Sequence, residues 1–120
     1  MPNQNDTDLD QLFAALSDPT RRAIVQTLVK QDEASVSALH EPHNMALPSF
    51  TQHLKVLENA GLISTRKKGR VRMVNIEART LSHAQKWLEK QRQDWEARFD
   101  RLDALVASLD ITSNGEAGNE

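Results

Sequence analysis

The sequence predicts a mainly α-helical fold with one small β-hairpin, and three observations support this. Apolar residues recur every three or four positions in several stretches, which is the period of a helix buried on one face. Two β-rich stretches flank the polar turn Lys68-Gly69-Arg70. Residues 80–109 contain no proline or glycine and carry leucine or tryptophan at every seventh position from Leu81, which indicates one long C-terminal helix.

The length and composition of the chain fit one folded domain. Its 120 residues are 38% hydrophobic and 27% charged, which is typical of a folded chain. The segments 1–8 and 110–120 are polar and lack apolar periodicity, so we expect both to be disordered and residues 9–109 to fold. A chain of this length buries only a modest core, which favours association with a second copy.

Several classes of protein are disfavoured. The sequence has no cysteine, which excludes disulfides, thiolate metal sites and cysteine nucleophiles. It shows no signal-peptide pattern and no apolar block long enough to cross a membrane, so we expect a cytoplasmic protein without a membrane partner. It also lacks paired carboxylates, a hydroxyl–histidine arrangement and a Gly-rich phosphate loop, so we expect no catalytic residues and no cofactor.

The first third of the chain predicts two helices. Apolar residues at helical spacing begin at Leu9, and this helix should stop near Ser17. A second helix should follow at once and extend to Lys30, because Asp18 is a good N-cap and Pro19 suits the first helical position.

The middle of the chain predicts a helix, a turn, a second helix and a hairpin. The short helix covers Ser35–His40, and the next runs from Pro48 to Ala60 before Gly61 ends it. Strands are expected at Leu62–Lys67 and Val71–Ile76, forming a two-stranded wing. This order of elements predicts a winged helix-turn-helix of about five helices.

Charge is segregated along the chain although the net charge is only −2. Residues 47–79 carry seven basic and two acidic side chains, whereas the segments on either side are acidic. A local basic patch favours binding to a polyanion, here double-stranded DNA. The hairpin bases expected to contact phosphates are Arg66, Lys67, Lys68, Arg70 and Arg72. The alternatives are an ordinary charged turn and, for the preceding helix, a merely solvated polar face.

Two segments carry a resemblance to a known family. ALSDPTRRAIVQTL at 15–28 and LPSFTQHLKVLENAGLI at 47–63 closely resemble the ArsR family of bacterial repressors, over Leu9 to about Leu109. The resemblance implies a symmetric dimer, joined through terminal helices, that sits on an inverted repeat and blocks transcription until a signal releases it. Carried over by position, the DNA-reading residues are Pro48, Ser49, Thr51, Gln52, His53 and Lys55.

The sequence departs from the family at two places. Ala46 replaces the Ser or Thr that many members carry at the start of the recognition helix, so a natural N-cap is lost. The metal-responsive members use a Cys-x-Cys pair where this chain has Ser35-Val36-Ser37, and others use a terminal-helix set of which only His83 remains. We therefore expect no metal site. The alternative is a surface zinc site at His40, Glu41 and His43.

The long C-terminal helix predicts the dimer interface, because its apolar seam is too long for so small a monomer. The residues expected there are Leu12, Leu81, Leu88, Trp95, Phe99 and Leu102. Trp87 and Trp95 have two interpretations, as packing residues or as the lining of a ligand pocket between helices.

The leading hypothesis is a homodimeric DNA-binding repressor of its own or adjacent genes. A winged-helix module that binds a protein without specific DNA binding is the second, and an enzyme is the weakest. The sequence identifies no small-molecule or protein effector.

Overall fold

The computed structural model describes the backbone of residues 4–113 and the side chains of residues 8–109. The predicted disorder of residues 1–3 and 114–120 lies outside the described residues. The fold is mainly helical with a small sheet, as predicted. Its elements are α1 (Gln4–Ala15), α2 (Pro19–Gln31), β1 (Glu33–Ser35), α3 (Val36–His40), α4 (Leu47–Asn59), β2 (Ile63–Lys68), β3 (Val71–Ile76) and α5 (Ala78–Ser113).

The junction between α1 and α2 follows the sequence prediction. Asp18 has an extended backbone, with φ −109° and ψ 135°, and its side chain accepts a hydrogen bond from the Arg21 backbone N–H. Pro19 takes the first helical position, where a missing N–H costs nothing. α1 itself begins at Gln4, five residues before the predicted boundary at residue 9.

The sheet has three strands, so the predicted two-stranded wing is incomplete. β1 pairs antiparallel with β3, with Ala34 opposite Val74, and the strand order is β1-β3-β2. β1 escaped prediction because three residues are too few to show an alternating pattern. Its last residue, Ser35, also caps α3 by accepting a hydrogen bond from the Ala38 backbone N–H. β2 and β3 form the predicted hairpin, joined by Gly69 and Arg70.

The core of residues 4–84 lies between α1, α2, α4 and the sheet. Its largest fully buried side chains are Phe50, Leu12, Ile24, Leu28, Leu57, Leu62 and Val74. Leu12 is only 1% exposed and is covered by its own chain, so its place in a dimer interface remains a prediction that the burial does not favour. Leu81 also packs against this core and is partly buried, which removes much of it from any interface.

α5 begins in one compact unit and continues in another. Residues 78–84 belong with the core, where Ala84 is buried. From residue 90 to residue 109 every side chain is exposed, including the apolar seam. The exposed fractions are 52% for Leu88, 60% for Trp95, 55% for Phe99 and 51% for Leu102. Within the described part of the chain, no helix is both long and apolar enough to cross a membrane.

Candidate nucleic-acid interface

α4 separates its residues into a buried face and an exposed face. Phe50, Leu54 and Leu57 follow one another at spacings of four and three and are all buried. The opposite face carries predicted DNA-reading residues that are all exposed: Pro48, Ser49, Thr51, Gln52 and Lys55. α4 therefore offers one continuous face of side chains able to donate and accept hydrogen bonds.

The start of α4 has the weakness that the sequence predicts. Ala46 occupies the N-cap position with φ −66° and ψ 150°, and no side chain caps the helix there. The backbone is in the geometry that a capping Ser or Thr adopts, so only the side-chain oxygen is missing. Pro48, at the second position of α4, restricts the same turn.

His53 is the one predicted reading residue that the structure turns toward the rest of the chain. Its side chain is 23% exposed, and its Nδ1 lies 3.0 Å from Nη1 of Arg21 and 3.8 Å from Oδ2 of Asp18. The sequence contained a signal for this placement. His53 is three residues after Phe50, which puts it beside the buried stripe of the helix.

Arg21 joins three elements at this point. Its Nε donates a hydrogen bond to the carbonyl of Ala15 at 2.7 Å, and its Nη2 donates to that of Ala14 at 3.4 Å. These carbonyls lie at the end of α1, where a helix leaves acceptors without partners. Through Nη1 the same side chain reaches His53 on α4.

Asp18 is ionised more readily here than in a free chain. The hydrogen bond from the Arg21 backbone N–H is the main cause that lowers the pKa of its carboxyl, and electrostatic attraction from His53 and Arg21 lowers it further. Burial acts in the opposite direction and is outweighed. The negative charge of Asp18 therefore persists beside the two basic side chains.

The hairpin carries the five predicted bases, and all are exposed. Gly69 has φ +68°, a left-handed conformation that suits glycine at this turn. Arg66 is already engaged, because its Nη2 donates a hydrogen bond to Oε1 of Glu33 on β1 at 2.8 Å. Arg72 donates through Nη1 to the hydroxyl of Thr65. Lys67, Lys68 and Arg70 have no carboxylate within 4 Å in the described part of the chain.

The alternative zinc site does not form a cluster. Nε2 of His40 is 2.7 Å from the carbonyl of Met45. The rings of His40 and His43 both pack against Phe50, with centroids 5.1 and 5.4 Å away. Among the side chains that the structure describes, no three His, Asp or Glu residues are placed to hold a metal ion. The contacts of the two histidines therefore hold the turn before α4 against the helix.

Both tryptophans are exposed. Trp87 is 44% exposed and Trp95 60% exposed. The guanidinium of Arg98 lies 5.9 Å from the Trp95 ring centroid, close enough for a cation–π contact. The large apolar surface of Trp95 is therefore accessible to a partner, and both interpretations of the two tryptophans remain predictions.

A helix with an exposed polar face, preceded by a short helix and followed by a basic hairpin, defines a winged helix-turn-helix protein. Residues 16–66 match a family model described as a helix-turn-helix domain.

Two curated relatives match this chain over most of their own length. The transcriptional repressor SdpR of Bacillus subtilis (strain 168) is 31% identical over 80 residues, which is 67% of this chain and 88% of the relative. The arsenical resistance operon repressor of Escherichia coli (strain K12) is 30% identical over 100 residues, which is 82% of each protein. Both are repressors by name.

Two solved structures resemble this chain over most of its length. The crystal structure of the ArsR family transcriptional regulator RHA00566 superposes with a TM-score of 0.72 at 43% identity, covering 79% of this chain and 97% of that one. The ArsR-like transcriptional regulator from Rhodococcus sp. RHA1 gives a TM-score of 0.74 at 26% identity, covering 86% and 96%. The similarity therefore extends well beyond the helix-turn-helix segment, and the chain belongs to the ArsR family of transcriptional regulators. It is a DNA-binding regulator by this membership.

Proposed function

We propose that this protein is a homodimeric repressor that binds an inverted-repeat operator, controls its own or adjacent genes, and does so without sensing a metal. The observation that carries the proposal is the face of α4 that holds Ser49, Thr51, Gln52 and Lys55. All four are exposed while the opposite face is buried. We expect this activity in the cytoplasm, in contact with chromosomal DNA.

α4 is the element that would read the bases. The major groove of B-DNA admits an α-helix, and each base pair displays a distinct pattern of donors and acceptors there. Gln52 carries both a donor and an acceptor on one exposed amide, which is the chemistry that pairs with the adenine edge. The exposed hydroxyls of Ser49 and Thr51 are suited to bases or phosphates.

The hairpin would supply affinity rather than sequence preference. Lys67, Lys68 and Arg70 are exposed and free of carboxylate partners among the described residues, so phosphates would be their counter-charge. Each phosphate contact releases counterions from DNA, which makes binding weaken as salt rises. Arg66 and Arg72, which already have partners in the chain, would contribute less.

Dimerisation would complete the operator complex. Leu88, Trp95, Phe99 and Leu102 each expose more than half of their surface along α5. A continuous row of exposed apolar side chains marks an interface, and burial against the identical row of a second copy is the simplest way to cover it. The two winged helices of such a dimer would engage two half-sites in successive major grooves, roughly 34 Å apart.

The second candidate is a winged helix that captures a protein partner without specific DNA binding. The exposed apolar surface of α5 is the observation that favours it. Its binding would be insensitive to salt, because apolar contacts release no counterions. The unpaired bases of the hairpin favour DNA instead.

The experiment compares two groups of variants on operator and random duplexes. Lys67→Ala with Arg70→Ala should weaken binding to both duplexes alike and flatten the salt dependence, by about 0.9 in the log–log slope per lost phosphate contact. Gln52→Ala should reduce the difference in binding free energy between operator and random DNA by roughly 1 to 3 kcal/mol per half-site. Its affinity for random DNA should stay unchanged.

Matched controls remove the same chemistry elsewhere. Gln26→Ala deletes an exposed amide on α2, and Lys30→Ala with Lys86→Ala deletes two exposed bases outside the basic segment. Both should bind as the unmodified protein does. If Gln52→Ala kept full discrimination while the hairpin change abolished it, α4 would not be the reading element, and specificity would come from the wing or from DNA shape. Salt-insensitive protein capture without duplex binding would favour the second candidate.

A further inference from the structure

The contact between Arg21 and His53 has a chemical consequence for the recognition helix. Nη1 of Arg21 lies 3.0 Å from Nδ1 of His53. A guanidinium has only donors and stays protonated, so the hydrogen bond requires Nδ1 to be the acceptor. A neutral imidazole that accepts at one nitrogen carries its proton on the other. His53 is therefore held as the tautomer protonated at Nε2.

We propose that Arg21 is a positioning residue for DNA recognition, which acts by fixing the ring orientation and tautomer of His53. The proposal rests on the proposed function, because it assumes that α4 reads DNA. Arg21 itself is partly buried, and its guanidinium forms hydrogen bonds with the carbonyls of Ala14 and Ala15 and with the His53 ring. Its effect on DNA would pass through His53 rather than through a contact of its own.

The fixed tautomer gives His53 a defined role. Its Nε2–H is a donor only, suited to a phosphate oxygen or to N7 or O6 of guanine, and unsuited to a base amino group. Without Arg21 the ring would exchange between two tautomers, so that Nε2 would be an acceptor part of the time. Asp18, 3.8 Å from Nδ1, would then favour the opposite tautomer by attracting a proton on Nδ1.

Arg21 also caps the end of α1, so the two roles must be separated. Arg22 provides the matched control. Its Nη1 donates a hydrogen bond to the carbonyl of Leu16 at 2.9 Å, which is the same kind of cap on the same helix end. Arg22 makes no hydrogen bond to α4 among the described residues. Arg22→Ala therefore removes a cap and a charge but leaves His53 in place.

The first test is a double-mutant cycle on the ratio of operator to random-duplex affinity. We expect Arg21→Ala to lower this ratio at least fivefold, and to lower it less than twofold in a His53→Ala background. Arg22→Ala should change it less than twofold. Dimer mass and the unfolding midpoint are measured for each variant, so that binding is compared among folded proteins. Independent, additive effects of Arg21→Ala and His53→Ala would overturn the proposal.

The second test is spectroscopic and needs no DNA. Nitrogen chemical shifts of the His53 ring at neutral or slightly alkaline pH should show an unprotonated Nδ1 and a protonated Nε2. The shifts should move toward a mixture of tautomers in Arg21→Ala and stay unchanged in Arg22→Ala. A proton on Nδ1 in the unmodified protein would overturn the proposal. If the tautomer is as expected but the protein prefers no duplex sequence, the fault lies with the proposed function, and Arg21 is then a structural residue only.

Discussion

Arg66 on the hairpin and Glu33 on β1 form an ion pair, with 2.8 Å between Nη2 and Oε1. The pair links the sheet's first strand to a strand of the wing, across 33 residues of sequence. The Arg66 side chain remains 53% exposed, so water screens the interaction. Its main consequence is that one base of the wing is neutralised before DNA arrives.

Glu33→Gln should release Arg66 for a phosphate. We expect tighter binding to any duplex at low salt, with a log–log salt slope steeper by about 0.9 if one phosphate contact is gained. Stability should change by less than about 1 kcal/mol, because the pair is exposed. Fluorescence anisotropy over a salt series measures the slope.

Glu41→Gln is the control for this prediction, since it removes the same charge from an exposed residue that forms no ion pair among the described side chains. Its salt slope should equal that of the unmodified protein. Equal slopes for Glu33→Gln and the unmodified protein would mean that Arg66 has no phosphate within reach.

Ala46→Ser should stabilise the start of the recognition helix. The backbone at Ala46 already has N-cap geometry, and no side chain caps α4. A capping oxygen contributes about 1 kcal/mol, so the urea midpoint should rise accordingly. Ala97→Ser, on the exposed surface of α5, is the control and should change stability by less than about 0.5 kcal/mol. No gain from Ala46→Ser would mean that Pro48 prevents the cap from forming.

Much of the fold could be predicted because the spacing of apolar residues and the capping residues indicate where helices begin and end. Asp18 and Pro19 located the start of α2, and the apolar spacing of α4 located its buried face. β1 carries no such signal in three residues. Leu12 shows a further limit, since a periodic apolar residue indicates a buried face without revealing whether its own chain or a second copy covers it.

The sequence predicted which residues form the site, but not which residues of the chain they interact with. His53 and Arg66 were both assigned to DNA, and each has a partner more than 30 positions away in the sequence. Local spacing does not reveal such contacts. Only the position of His53 beside Phe50 gave a hint, because helical period places it near the buried stripe.

Asp18→Ala should destabilise the protein by about 1 kcal/mol at pH 7, because it removes the N-cap of α2. The pKa of Asp18 is lowered below its ordinary value of 3.8 in the folded protein. The stabilisation that the ionised Asp18 carboxylate gives the folded protein is therefore fully present above its ordinary pKa. It is lost as pH falls through the lower pKa of the folded state. Urea unfolding from pH 7 to pH 3 should show the two proteins converging at the acid end.

Asp10→Ala is the comparison, because Asp10 is exposed and forms no ion pair with the side chains of residues 8–109. Its difference from the unmodified protein should stay small at every pH. A constant gap between Asp18→Ala and the unmodified protein down to pH 3 would contradict an ionised cap.

Zinc should not regulate DNA binding. No three potential ligands are grouped among the described side chains, and His40 is engaged with Met45. Operator affinity measured with stoichiometric zinc or with a chelator should agree, and a double His40→Ala, His43→Ala variant should respond in the same way. A reproducible tenfold change, about 1.4 kcal/mol, that the double variant abolishes would establish a zinc site at this turn.

Replacing Leu88 and Leu102 with Asp should convert the protein to monomers. Both leucines are about half exposed in one chain, so neither substitution disturbs the core, yet each would place a charge in the apolar interface at a cost of several kcal/mol. Light scattering measures the mass. Ala97→Asp with Ala104→Asp adds the same charges to other exposed positions of α5 and should leave the dimer intact.

The same monomeric variant tests whether dimerisation is needed for function. One α4 engages one half-site, and the second half-site adds affinity only when both are tethered. We expect the Leu88→Asp, Leu102→Asp variant to lose tight operator binding while keeping weak, salt-dependent binding to any duplex through its intact hairpin. Unchanged mass would show that α5 beyond residue 84 is not the interface. Monomers that still bound the full operator tightly would show that a single winged helix recognises it.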